Sequence, residues 1–237
     1  MASSEALPRH VAVIMDGNGR WARQNKLKIA LGHRSGVEAV RGIIRETSGL
    51  GIPALSLFAF SAENWARPRE EVNALMQLML EFFTSEIEAL DAENVVIRIL
   101  GNKEGLPDRQ REAAIGAEHR THGNTGLRLN IALNYGSRQE IVAAAREMAS
   151  SVQKGELTLP DMTEETFARY LYTRGLPDVD LLIRTSGEMR ISNFMLFQCA
   201  YAEFYFTDTL WPAFTVDEYR QALAAYQHRD RRYGGRG

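Results

Sequence analysis

The sequence predicts an α/β fold built on a mostly parallel central sheet flanked by helices, and three observations predict it. Short apolar runs alternate with longer amphipathic segments, the first long amphipathic segment stops on a glycine signal directly before the next apolar run, and no repeat, low-complexity tract or long Pro/Gly/Ser linker breaks the rhythm. Strands that alternate with helices need crossover connections, which implies a parallel sheet covered on both faces.

Taken in order, HVAVIM (10–15), ALSLFAF (54–60), VVIRIL (95–100), LRLNIAL (127–133) and DLLIRT (180–185) read as strands. A helix from Gly36 to Leu50 ends in SGLG and leads into the second strand. Arg69–Leu90 carries the longest helical pattern, with Val72, Leu75, Met76, Met79, Phe82, Phe83 and Ile87 at three- and four-residue spacing. Its apolar face is broad enough to be plain core or the wall of a channel. Ser137–Val152 and Val216–Tyr226 supply further helices.

With 237 residues, 45% hydrophobic and 24% charged, the chain suits one domain over 1–237, with 1–9 and 234–237 expected to be loose termini. A net charge of −2 gives no support for a nucleic-acid surface, although local basic clusters can still hold phosphates. Cys199 is the sole cysteine, so an intrachain disulfide is excluded, and no CxxC or His-rich spacing offers a zinc site. A reducing compartment, the cytoplasm, is therefore expected. The N-terminus lacks the basic and apolar regions of a signal peptide, and no run approaches the roughly 18 apolar residues of a membrane span, so membrane contact is expected to be peripheral only.

In open parallel sheets, ligands gather beyond the carboxyl ends of the strands, and here those positions carry DGNGRW, SAENWAR, NYGSR and SGEMRISNF. In Asp16-Gly17-Asn18-Gly19-Arg20-Trp21 the glycines let successive amides turn toward an anion, and a helix beginning there adds its positive end. Arg20 adds planar donors for phosphate oxygens, and Asp16 offers a hard oxygen to Mg²⁺ bridging to a diphosphate. Alone, such a string is more often an ordinary turn, and it matches neither GxxxxGK[ST] nor GxGxxG. Gly32-His33-Arg34-Ser35-Gly36 stands before a helix, where His33 can bind phosphate or simply cap. Ser61, Ala62, Glu63, Asn64, Trp65 and Arg67 crowd a hydroxyl, an amide, an indole and a guanidinium into one turn; the plainer reading is the start of the long helix with Trp65 packed on it. Arg184, Arg190, Ile191 and Ser192 surround a glycine bend suited to a second anion. Glu203, inside the apolar CAYAEFYF, needs a metal or an arginine beside it unless the stretch is an exposed edge.

These blocks together, HVAVIMDGNGRWA, GHRSG, FAFSAENWARP, NYGSR, LLIRTSGEMRISNF with YAEFYFTDTLWPAF, and RDRRYGG, closely resemble the cis-prenyltransferase, or undecaprenyl diphosphate synthase, family from about His10 to Gly235. The resemblance implies a parallel-sheet fold with a hydrophobic tunnel, working as a homodimer. It implies condensation of isopentenyl diphosphate onto farnesyl diphosphate, a long-chain product passed to the membrane at its inner face, and a role in cell-wall carrier synthesis. By it, Asp16 would carry the catalytic Mg²⁺, and Gly17, Asn18, Gly19, Arg20 and His33 would hold the starter's diphosphate, with Trp21 lining its path. Ser61 to Asn64, Trp65 and Arg67 would share the active-site wall, with Asn64 a candidate for assisting proton removal and Glu71 on the adjoining segment. Arg184, Arg190 and Ser192 would bind isopentenyl diphosphate, and Glu203 would support the metal or an arginine, within its own subunit or across a dimer. Two departures stand out: Ile29 fills a place where many relatives carry arginine, leaving Lys28 as the nearest substitute, and Met189 replaces a histidine found in some. A noncatalytic adaptor subunit is the alternative, although such relatives lack the Asp-bearing loop; no DDxxD box supports an all-α trans-prenyl synthase.

Overall fold

A computed structural model of the chain describes residues 6–229. The apolar runs form six strands: β1 (His10–Ile14), β2 (Ala54–Ser61), β3 (Val96–Leu100), β4 (Arg128–Tyr135), β5 (Leu181–Arg184) and β6 (Glu203–Phe206). Their order is β3-β4-β2-β1-β5-β6, and every pairing is parallel. Parallel strands covered on both faces read as unbroken apolar runs, which is why the first five are legible; β1 is buried at every position. The sixth is an addition. Its EFYF is short and half-exposed at the sheet edge, so it shows neither a buried run nor a clean alternation.

The helices are α1 (Asn18–Gln24), α2 (Ile29–Gly49), α3 (Arg69–Ala92), α4 (Asp108–Thr121), α5 (Ser137–Gln153), α6 (Glu164–Ala168) and α7 (Val216–Gln227). Side chains from α2, α3, α4 and α7 join Val11, Val13, Leu55, Leu57, Leu129 and Ile131 in one core. On the other face Ala12, Ala132 and Leu182 pack with Tyr135, Phe194 and Met195. The end of α2 follows the sequence signal, with Gly51 at φ 71° just beyond it. Its start does not. The helix begins at Ile29, so GHRSG lies inside it and His33 is one turn in rather than at a helix start. The two glycines of that segment, read from the sequence as standing before the helix, are points of close approach within it. A Cβ at Gly32 would lie 2.3 Å from the Asn18 carbonyl oxygen, and one at Gly36 would lie 2.4 Å from Asn18 Oδ1 and 2.9 Å from the Trp211 ring.

Trp211 Nε1 donates to the Gly36 carbonyl at 2.9 Å, so that crowding has no easy relief. Gly36→Ala is expected to destabilise by about 1–3 kcal/mol through overpacking, measured by chemical denaturation. Gly49→Ala, where a Cβ meets nothing within 4 Å, is the matched control and is expected to cost nothing. Near the N-terminus, Leu7 packs on the core and the Arg9 amide donates to Asp180 at 2.8 Å, so the stretch expected to be loose is held from Leu7 onward. Residues 1–5 and 234–237 lie outside the described residues. No helix among the described residues is long and apolar enough to cross a membrane.

Candidate active site

The carboxyl ends of the strands open into a cleft of about 840 Å³ that runs down between the sheet, α2 and α3. Its mouth is polar and its depth apolar. Descending α2, the lining passes from His33 to Val37 and Val40; descending α3, it passes from Glu71 to Leu75, Met79 and Phe82. Leu57 and Ile131 supply the sheet wall. The broad apolar stripe on α3 therefore serves two purposes, part of it in the buried core and part facing the channel.

At the mouth, Arg184 ends β5 with a side chain only 4% exposed, and its Nη2 lies 2.8 Å from Asp16 Oδ2. Its Nη1 donates to Ser192 Oγ at 2.7 Å and to the Arg190 carbonyl. Loops following β1 and β5, 168 residues apart in sequence, thus meet through one guanidinium. Burial opposes the Asp16 charge, but the hydrogen bond and attraction of Arg184, with the Gly17 amide and Arg20, outweigh it and hold the carboxyl below its usual range. Its side chain is 34% exposed, so it faces the cleft as a carboxylate. The Asp16 amide donates to Thr185 Oγ1 at 3.0 Å, which fixes the loop from the other side.

Gly17 takes φ 108°, and a Cβ there would strike Leu210, so the turn requires glycine. The amides of Asn18, Gly19 and Arg20 precede the first helical bond, from Trp21 N–H to the Gly17 carbonyl, and so form an open set of donors beside Asp16. Arg20 Nη2 donates to Ser186 Oγ at 2.6 Å and pairs with Glu188 at 3.2 Å. Across the mouth His33 Nε2 is 3.7 Å from Glu71, which also pairs with Arg67 at 2.9 Å. Desolvation lowers the His33 pKa and Glu71 only partly restores it, so the imidazole is neutral at pH 7. Its Nε2 is buried without a hydrogen-bond partner, as is Asn18 Oδ1. His33 lines the cleft, so its Nε2 is open to a polar ligand, whereas Asn18 Oδ1 sits in the close packing against Gly36.

The loop after β5 holds the second set. Ser186, Ser192, Asn193 and Met195 all have positive φ, a cluster of strained backbone that over-determined contacts must hold. Asn193 supplies them: it donates to Glu63 Oε1 at 2.9 Å and to Gln139 at 3.1 Å, and accepts from the Arg138 amide at 2.8 Å. Burial works against the Glu63 charge, yet Asn193 and nearby donors hold its pKa below normal. Arg190 and Ser192 line the cleft beside Arg184, with Glu188 bridging Arg190 and Arg20.

Of the residues expected from sequence, Asp16 to Arg20, His33, Ser61, Glu63, Asn64, Arg67, Arg184, Arg190 and Ser192 all line the one cleft. Others stand outside its lining. Trp21 is half-buried on α1, and Ala62 sits in the short 3-10 turn Ala62–Ala66. Trp65 donates to Asn134 Oδ1 at 2.8 Å and packs edge-on to Phe60, a lining residue, rather than on α3. Ile191 packs with the second core. Glu203 begins β6 level with Leu181, at the amino ends of the strands, and pairs with Arg229 at 2.6 Å. The arginine expected beside it is present, and within its own chain it does not reach the cleft. Asn64 lines the cleft, but its Oδ1 accepts the Ser61 amide in a capping box. Sequence reasoning missed Asn193 and Arg23; the first stands three residues after Arg190, and the second three after Arg20, on the same helix face.

Among the described residues no group of three or more His, Cys, Asp or Glu side chains could hold a metal. Asp16, a carboxylate 34% exposed at the cleft mouth, is a hard oxygen donor of the kind a divalent cation takes.

The sequence profile of a family described as "putative undecaprenyl diphosphate synthase" matches residues 14–234. An isoprenyl transferase of Geobacter sulfurreducens is 54% identical over 97% of this chain and 94% of its own length. One from Geobacillus kaustophilus is 55% identical over 97% and 89%. Among solved structures, lavandulyl diphosphate synthase from Lavandula x intermedia, in complex with dimethylallyl diphosphate, superposes with a TM-score of 0.93 at 38% identity, covering 96% of this chain and 98% of that one. A probable undecaprenyl diphosphate synthase from Campylobacter jejuni superposes at 0.79 and 34% identity over 97% and 99%.

Proposed function

Because this chain belongs to the undecaprenyl diphosphate synthase family of prenyltransferases, we propose that it extends farnesyl diphosphate with successive isopentenyl units to a long-chain cis-polyprenyl diphosphate of undecaprenyl length. One observation carries the reading: two sets of anion-binding donors share a mouth through Arg184, above an apolar channel. A channel with charge only at its mouth suits a substrate that is diphosphate at one end and hydrocarbon at the other.

In the proposed reaction the starter's diphosphate lies on the amides of Asn18 and Gly19, with Arg20, His33 and Arg67 around it. The diphosphate of isopentenyl diphosphate lies on Arg190 and Ser192. When the allylic carbon–oxygen bond breaks, negative charge grows on the departing pyrophosphate, and preorganised donors favour that state over the ground state. Magnesium, held by Asp16 together with the starter's phosphates, would add positive charge to the same leaving group. The electrons of the isopentenyl double bond form the new carbon–carbon bond, and loss of a proton leaves a new cis double bond. Apolar walls keep water from the allylic cation. With Asn64 Oδ1 engaged by Ser61, we confine its role to orienting the reacting groups.

Purified protein with Mg²⁺, farnesyl diphosphate and radiolabelled isopentenyl diphosphate is expected to form a butanol-extractable polyprenyl product, with EDTA abolishing its formation. Mass spectrometry of the extract reads the chain length. Absence of extension across several starters and detergents would favour the adaptor alternative. We further propose a homodimer through the edge carrying β6, where Phe204 is 36% and Tyr201 71% exposed; Glu203 then adjoins a partner subunit, and the product leaves for a membrane surface.

A further inference from the structure

Five arginines line the cleft, and four of them are matched by acids: Arg20 with Glu188 at 3.2 Å, Arg67 with Glu71 at 2.9 Å, Arg184 with Asp16 at 2.8 Å, and Arg190 with Glu188 at 2.5 Å. The fifth, Arg23, is exposed, and among the described residues no carboxylate lies within ion-pair distance of it. It sits in the last turn of α1, on the same face as Arg20. Ile29 also lines the cleft, its Cγ2 3.9 Å from where a Cβ on Gly19 would stand. Lys28, which the sequence offered as the nearest cation, precedes α2 as its N-cap residue, exposed and outside the lining. An unmatched guanidinium in the lining of the cleft, one helical turn from the anion cradle, has an anion as its natural partner.

We propose that Arg23 is a direct ligand of the starter's diphosphate, reaching it from the last turn of α1. The inference rests on the functional reading above, and assigns Arg23 to the subsite made by Gly17 to Arg20 rather than to the one made by Arg190 and Ser192. A cation in the last turn of a helix also offsets the helix dipole. That role acts on folding and leaves substrate affinity unchanged.

Arg23→Gln is expected to raise KM for farnesyl diphosphate about tenfold, the scale of one charge-assisted contact, with KM for isopentenyl diphosphate and the thermal transition unchanged. The Kd of an unreactive thio-analogue of farnesyl diphosphate, measured by calorimetry, should rise by the same factor. Adding Ile29→Arg to Arg23→Gln is expected to restore part of the affinity, since Ile29 lines the same cleft beside Gly19 of the anion cradle. Unchanged KM and Kd in Arg23→Gln would overturn the proposal. So would an equal rise on Lys28→Ala, or an equal rise in KM for both substrates. If the wild-type protein does not turn over the starter, inorganic pyrophosphate binding still decides: weaker in Arg23→Gln supports the assignment, and equal binding rejects it.

Discussion

Replacing Asp16 by asparagine is expected to cut kcat/KM by about a thousandfold while the thermal transition barely moves. Asparagine keeps the shape of the side chain, and its carbonyl can still accept from Arg184, which also retains Ser192 and the Arg190 carbonyl as partners. What is lost is the negative charge that would hold the metal. Alanine is the poorer test, because it strips a partner from a guanidinium that is 4% exposed, at a cost of about 3–5 kcal/mol for a buried pair. The sign of the pH dependence follows. The folded-state pKa of Asp16 lies below 3.8, so its pairing with Arg184 contributes fully above that value and is lost only as pH falls through the lower folded value. Any fall in activity between pH 5 and 7 must arise elsewhere. Steady-state kinetics decides, and an asparagine variant within tenfold of wild type would remove Asp16 from the mechanism.

The largest effect on stability is expected at Glu140, on α5 behind the second core. This carboxyl is 1% exposed and accepts from Tyr135 at 2.5 Å, from the Tyr172 amide at 2.8 Å and from Gln198 at 3.2 Å. Among the described residues no arginine or lysine pairs with it, and burial pushes its pKa above 4.5 despite those donors. Glu140→Ala would orphan three buried donors and is expected to cost about 3 kcal/mol or more, read by denaturant unfolding. Glu140→Gln should keep most of the network once the Gln198 amide, which now faces position 140 with its Nε2, turns over to present its unpartnered oxygen to the new amide. A raised folded-state pKa favours the protonated form, so the stabilising contribution present at low pH is lost as pH rises through the raised value. The glutamine variant has no such loss. Its stability relative to wild type should therefore grow as pH rises above 4.5, and a constant difference would mean that burial does not raise the Glu140 pKa.

The sequence reading found β1 to β5 because burial on both faces leaves nothing polar in a parallel strand, and it missed β6 because an edge strand is under no such constraint. It did not single out α4, whose buried residues are only Ala114, Ala117 and Thr121 and so leave little apolar periodicity. It started α2 at Gly36 rather than Ile29, about two turns late, because glycines at 32 and 36 are poor helix formers locally and here mark helix packing, a tertiary property that no local signal carries. The site was more legible than the fold around it. Residues just beyond parallel strands are pre-selected by topology, so Asp16, Arg184, Arg190 and Ser192 were found from position and chemistry alone. Asn193 was not singled out, because its task is to tie its loop to two other segments, the turn after β2 and the start of α5, and an asparagine in a polar loop carries no mark of that.

A channel that is greasy below and charged above has a kinetic corollary on the proposed reaction. Every added five-carbon unit must slide further down past Val40 and Phe82, and burying it gains about 4 kcal/mol at roughly 0.8 per carbon. The ladder therefore tightens its own hold at each rung, so short intermediates drift off seldom and the finished tail leaves slowest of all. Turnover in plain buffer should then be limited by departure, and a detergent micelle or bilayer that accepts the hydrocarbon should quicken the steady state without touching the first condensation.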